Sequence, residues 1–174
     1  MIQKKICMVG IFGTGKTSLV QRLVYSIFSQ KYHSTVGVKV DRKQVAVRGA
    51  PVNLLLWDIE GRTRDQEIPA SYLGGAHGIL YVVDGTRRET FDELESLQEM
   101  VARAAGAVPS VVALNKSDLA DQWKIGKRET TKLQERGTHG IRTSAKTGEG
   151  VEDVFLWLAE ATLDADASRA TRSR

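Results

Sequence analysis

Residues 10–18 read GIFGTGKTS. The run fits the pattern G-x-x-x-x-G-K-[ST], with Gly10, Gly15, Lys16 and Thr17 at the fixed positions. Its context fits as well. The apolar segment KICMVGI (5–11) precedes it with strand character. The segment KTSLVQRLVYSIF (16–28) follows with Leu19, Leu23 and Ile27 at helical spacing. Between a strand and a helix such a loop can wrap phosphate. Its glycines let backbone N–H groups turn inward, and the helix N-terminus adds its dipole. Lys16 can bridge the outer phosphates, and the Thr17 hydroxyl can reach Mg²⁺. The bland alternative, a glycine-rich turn, lacks a reason for the lysine and the flanking elements. This motif points to a nucleoside triphosphate without naming the base.

Outward from the loop, apolar strand-like runs alternate with helix-length amphipathic ones. VGVKVDRKQVAV (36–47) and VNLLLWDI (52–59) are joined around RGAP and predict a hairpin. A short irregular helix is expected through QEIPASYLGG. GILYVVD (78–84) and VPSVVALN (108–115) are apolar without alternation, as strands buried on both faces are. ETFDELESLQEMVARAA (89–105) predicts a helix, and DQWKIGKRETTKLQER (121–136) a helix broken near Gly126. HGIRTSA is a last short strand. GVEDVFLWLAEATL (150–163) is a final helix with Val151, Val154, Phe155, Leu158 and Leu163 on its apolar side. The alternation argues for one α/β domain, a doubly wound and mainly parallel sheet, over residues 1–163. Residues 164–174, DADASRATRSR, carry almost no apolar content and are expected to be disordered. In such sheets ligands sit beyond the C-terminal strand ends, so the residues just after each strand are the informative ones.

After the 108–115 strand comes NKSD, with Asn115, Lys116 and Asp118. A carboxylate accepts two hydrogen bonds side by side. Guanine offers two adjacent donors, its ring N1–H and exocyclic amine, and adenine does not. A buried carboxylate facing adenine would be left unpaired, so Asp118 in this place selects guanine. Lys116 can lay its stem over the base. After the last strand, TSAKTG (143–148) presents Ser144, Ala145 and Lys146. There the Ala145 N–H could reach the guanine oxygen and Lys146 could flank the base.

The remaining composition bounds the setting. The chain has 174 residues, 41% hydrophobic and 26% charged, with a net charge of +4. That length suits one substantial core. No apolar window is long enough to span a membrane. The basic-then-apolar N-terminus runs straight into the glycine-rich loop, so it reads as a strand and not a signal peptide. Ile2 excludes N-myristoylation, and an ending without cysteine excludes prenylation, so no lipid anchor is expected. The single Cys7 reads as a buried strand residue in a reducing, cytoplasmic setting. The positive charges are scattered, which fits solvated faces and not a nucleic-acid footprint. His33, His77 and His139 have neither metal spacing nor a neighbouring nucleophile, and Trp57 and Trp157 read as core.

The phosphate loop, STVG (34–37), WDIEG (57–61), NKSD (115–118) and TSAK (143–146) follow one another in the order and spacing of the Ras superfamily of small GTPases. The wording of WDIEG, YLGGAHGILYVVDGT, NKSDL and TSAKTGEGVEDVFLWLA is similar to its Rab branch, and the resemblance covers residues 3–163. It implies a P-loop NTPase fold with six strands, the second antiparallel and five parallel, flanked by about five helices. It also implies GTP/GDP and Mg²⁺ as ligands and a molecular switch as function. By the same resemblance, Gly13, Thr14, Gly15, Lys16, Thr17 and Ser18 would wrap the phosphates. Phe28 would pack at the base edge, and Tyr32 could fold over the phosphates. Thr35 would reach Mg²⁺ with its hydroxyl and sense the γ-phosphate with its backbone. Asp58 would hold Mg²⁺ through a water, and the Gly61 N–H would touch the γ-phosphate. Release of Thr35 and Gly61 on loss of that phosphate would relax both switch segments. Effectors or regulators would then bind through Tyr32–Lys39 and Gly61–Tyr72.

The sequence departs from that pattern where chemistry is expected. The family usually places glutamine after the γ-phosphate-sensing glycine, to orient the attacking water. Here Arg62 stands in its place, and a guanidinium cannot accept a hydrogen bond or act as a base. Lys16, Thr35 and Arg62 are therefore the candidate catalytic residues, with Arg62 open to two readings. Either hydrolysis is slow, or Arg62 acts as an arginine finger. Gln66 could position the water only if the loop coils back. A non-hydrolysing interaction module is the alternative outcome. A nucleotide kinase or ATPase on the same loop is disfavoured by Asp118. Phe12 is bulky where a glycine is common, and Glu60 puts a carboxylate near the γ-phosphate unless it turns outward or pairs with Arg62 or Arg64. Asp65 replaces a common aromatic, which reduces the apolar effector patch.

Overall fold

The computed structural model describes residues 1–31, 34–63 and 65–172. Strand β1, Ile2–Val9, becomes fully buried from Ile6 onward, which is why its apolar run shows no alternation. It is central in a sheet of order β2-β3-β1-β4-β5-β6. The other strands are β2 (Val38–Val47), β3 (Ala50–Ile59), β4 (Gly78–Asp84), β5 (Ser110–Asn115) and β6 (His139–Arg142). β2 pairs antiparallel with β3, and the other pairings are parallel, as expected. The expected hairpin closes at Arg48 and Gly49, both with positive φ, which matches the twist of the flanking strands.

Helices cover both faces of the sheet. One face packs α1 (Lys16–Tyr25) and α6 (Val151–Arg172) through Leu19, Leu23, Val154, Phe155 and Leu158. The other packs α2 (Ala70–Leu73), α3 (Arg88–Asp92), α4 (Leu94–Ala105) and α5 (Lys127–Glu135) through Leu73, Phe91, Leu97, Val101 and Leu133. The single helix expected over 89–105 is interrupted at Glu93 into α3 and α4. The break expected near Gly126 is the start of α5, where the Gly126 N–H donates to Glu129 Oε2 at 2.8 Å. Trp57 and Trp157 are only partly buried. Trp57 lies under Lys5 Nζ, and Trp157 stacks on His139 at 4.8 Å.

Residues 164–172 correct the expectation of disorder over 164–174, and residues 173 and 174 lie outside the described residues. α6 continues to Arg172. Lys4, almost completely buried at the start of β1, pairs with Asp166 and donates to the Thr162 carbonyl. Arg48 of the hairpin pairs in a fork with Asp164. Low apolar content missed this, because alanine favours helix and charged partners hold the segment from outside its own sequence. No helix among the described residues is long and apolar enough to cross a membrane.

This architecture brings the segments after β1, β3, β4, β5 and β6 to one edge of the sheet.

Candidate functional site

A cavity of about 210 Å³ opens at that edge. Its floor is the 10–15 loop and the first turn of α1. Gly15, the residue before α1, has φ +101, a left-handed conformation that disfavours any side chain. A Cβ there would also overlap the Asn115 amide nitrogen. No side chain caps the first turn of α1, so its N–H groups face the cavity ready for an anion. Lys16 is buried and donates to the Gly10 and Ile11 carbonyls at 3.2 and 3.1 Å. Burial pulls its ammonium down to about 8, with Asp58 opposing the shift. Thr14 is fully buried and does not line the cavity; its hydroxyl and N–H both donate to Ile11 O, and its carbonyl accepts from Asn115.

Beside Lys16, three oxygens from three segments converge. Thr17 Oγ1 lies 2.6 Å from Asp58 Oδ2 and 2.8 Å from Thr35 Oγ1, and Thr35 Oγ1 lies 3.3 Å from the same Oδ2. Asp58 is buried, and its Oδ1 has no hydrogen-bond partner among the described residues. Burial raises the Asp58 pKa above the usual carboxylate value, against the pull of Thr17 and Lys16. A dry carboxylate with an unsatisfied oxygen beside two hydroxyls suits a small hard cation. Mg²⁺ prefers oxygen donors, few of them protein groups, completed by water and phosphate oxygens.

At the far end lie the two loops expected to read a base. Asn115 lines the cavity and also braces the loops around it. Its amide donates to Thr14 O at 3.0 Å and its oxygen accepts from Thr143 at 3.1 Å, so it ties three loops together. Lys116 Nζ bridges Gly13 O at 2.9 Å and Asp84 Oδ2 at 2.7 Å, leaving its stem along the cavity wall. Asp118 lines the cavity, and its Oδ1 accepts from Ser144 Oγ at 2.7 Å. Ser144 itself is fully buried and orients that carboxylate instead of facing the cavity. Phe28, Ala145 and Lys146 also line the cavity.

The segment after β3 closes onto the loop. The Arg62 N–H donates to Gly10 O at 3.1 Å, and the Phe12 N–H donates to Arg62 O at 3.0 Å. A Cβ on Gly61 would lie 2.6 Å from Phe12 Cα, so only glycine permits this approach. The Arg62 guanidinium does not line the cavity, and its Nε and Nη1 are buried. Glu60 is turned outward, with Oε2 accepting from the Gly37 N–H at 2.9 Å. Gln66 is engaged locally, with its N–H donating to Thr63 O at 3.1 Å. Its side-chain oxygen faces the Thr63 N–H at 3.4 Å, and it does not line the cavity. Tyr32, His33 and Arg64 lie outside the described residues.

A family model described as the Ras family matches residues 5–164. The chain belongs to the Ras family. Ras-related protein Rab-1 of Theileria parva is 35% identical over 163 residues, which cover 92% of this chain and 74% of that protein. Rab-4B of Homo sapiens is 34% identical over 162 residues, 92% and 76% of the two chains. Rab-13 of Canis lupus familiaris is 32% identical over 157 residues, 89% and 77%. This Ras-family protein is a Rab-like small GTP-binding switch protein, in a family that binds GTP or GDP with Mg²⁺, hydrolyses GTP and engages effectors or regulators.

Three residues of this Ras-family site carried no sequence signal. Arg22 of α1 donates from Nε to the Ala145 carbonyl at 2.6 Å and also holds the Lys146 carbonyl. Glu149 receives Ser117 Oγ at 2.6 Å and joins the two base-end loops. Arg87 donates to Phe12 O at 2.9 Å from the segment after β4. Each reads in the sequence as an ordinary surface charge.

Proposed function

We propose that this Ras-family protein is a GTP/GDP switch with slow intrinsic hydrolysis, because Arg62 stands in place of a water-orienting glutamine. In this reading the phosphates lie over the N–H groups of 13–18, with Lys16 between the outer ones. Asp118 takes the guanine donors, the Ala145 N–H takes the guanine oxygen, and Lys116, Lys146 and Phe28 flank the base. Thr17 and Thr35 would hold Mg²⁺ directly and Asp58 through a water. Bound Mg²⁺ would neutralise charge on the terminal phosphates. Thr35 and the Gly61 N–H would report the γ-phosphate, and partners would read the result on segments 32–39 and 61–72.

The observation that carries slow hydrolysis is how Glu60, Arg62 and Gln66 are engaged. Glu60 faces Gly37, Gln66 faces Thr63, and the buried part of the Arg62 guanidinium lies outside the cavity lining. None of these three side chains is set to accept a hydrogen bond from an attacking water. Lys16 and the N–H groups can stabilise charge, but a positioned acceptor is what orients the nucleophile.

Single-turnover hydrolysis of GTP by the native chain, Arg62→Gln and Arg62→Ala tests this. The expected result is a rate above the protein-free one for the native chain. Glutamine should speed it by about tenfold or more, and alanine should leave it near native. Slowing by alanine would make Arg62 a finger. A native rate equal to that without protein would make the chain a nucleotide-stabilised interaction module.

A further inference from the structure

The β2–β3 ladder pairs Val38 with Ile59 and then runs out of regular register. The next two residues, Gly37 and Glu60, are nevertheless joined twice. The Glu60 N–H donates to Gly37 O at 2.7 Å. The Gly37 N–H, instead of meeting a backbone carbonyl, donates to Glu60 Oε2 at 2.9 Å. Gly37 has φ +71, which turns the chain out of the strand at this point. The Glu60 carboxylate receives the N–H that this turn directs away from the ladder. Two residues before Gly37 stands Thr35, whose hydroxyl meets Thr17 and Asp58, and one residue after Glu60 stands Gly61, packed on Phe12.

We propose that Glu60 is a latch between the two switch segments, a positioning residue that holds 34–37 in the Thr35-in arrangement and so favours the triphosphate state. The proposal rests on the nucleotide reading above and adds this chain's own device to it. The physical argument is a population shift. A bond present only in the closed arrangement lowers its free energy whatever nucleotide is bound. GTP uses the closed arrangement and GDP has no γ-phosphate to demand it, so the latch raises GTP affinity more than GDP affinity.

Charge alone predicts the opposite sign. A carboxylate one residue from Gly61 repels the γ-phosphate, and its removal would then tighten GTP binding. The two effects separate on two substitutions. Glu60→Ala removes both the acceptor and the charge, whereas Glu60→Gln keeps an acceptor oxygen and removes only the charge.

The experiment measures dissociation constants for GDP and a non-hydrolysable GTP analogue with Mg²⁺, for the full chain and both variants. Amide hydrogen exchange at Gly37 is followed in the same proteins with and without GDP, and thermal unfolding serves as a control for global damage. The latch predicts that Glu60→Ala lowers the preference for the analogue over GDP by about fivefold, the scale of one hydrogen bond. It also predicts faster Gly37 exchange, with Glu60→Gln close to native in both. An unchanged or increased preference for the analogue in Glu60→Ala overturns the proposal, as does unchanged Gly37 exchange. If the native chain binds neither nucleotide, the nucleotide reading falls, and the Gly37 exchange of the three nucleotide-free proteins still decides whether the latch exists.

Discussion

Lys16 concentrates the electrostatics of the site. Burial holds its ammonium near 8 in the free protein, so at pH 8 and above a large share of the side chain is neutral. Phosphate brought within reach of Nζ favours the charged form and raises that pKa. Nucleotide binding should therefore take up a proton at pH 8.5, and affinity should fall as pH rises above 8. Calorimetry of GDP binding at pH 8.5 in two buffers of different ionisation heat measures the uptake directly. Equal heats in both would contradict the assignment of Lys16. At this scale the sequence was most informative where chemistry restricts the residue type. The lysine, threonine and aspartate in their spacings carry their reading with them. Asn115 and Ser144 are different. The polar atoms of both brace neighbouring loops, Asn115 on Thr14 and Thr143 and Ser144 on Asp118, and Asn115 lines the cavity as well. A motif tells which residues belong to a site, and a hydrogen-bond partner chosen by folding tells what each one touches.

Helix α1 does more than end in the phosphate loop. Its Leu19 and Leu23 face the core, as their spacing predicts. Arg22, one position before Leu23, reaches across to the 143–150 loop and binds the carbonyls of Ala145 and Lys146. Replacing Arg22 by alanine should loosen that loop and weaken GDP binding by about tenfold, the scale of two lost charge-assisted bonds at a partly exposed site. Lysine should not restore it, because one ammonium cannot reproduce the guanidinium fork. Fluorescence titration with GDP reads both, and native-like affinity in Arg22→Ala would remove the clamp from the account. Periodicity could place this helix and its buried face. It could not find a partner 123 residues away, because nothing in the local pattern of α1 records what its polar face meets.

The whole molecule is a sheet that gathers five loops at one edge and two covering layers that keep them there. That much follows from strand–helix alternation and the phosphate loop, and the six-stranded order agrees with it. Composition does not reveal the helix at 164–172, because it measures what a segment can bury alone. Here Lys4 and Arg48, both distant in sequence, supply the partners that make it part of the fold. The proposed ligand of the gathered loops is a guanine nucleotide with Mg²⁺. In the proposed reading Asp118, held by Ser144, would select guanine, and Thr17, Thr35 and Asp58, which converge, would hold Mg²⁺. The most direct test is displacement of a fluorescent GDP from the native chain by GTP and by ATP, with Mg²⁺ and with the metal chelated. GTP should displace it at concentrations comparable to GDP itself. ATP should need roughly 10⁴-fold more, since it leaves the Asp118 carboxylate unpaired, and chelation should weaken the GTP competition. Displacement by ATP at concentrations comparable to GTP would contradict the account.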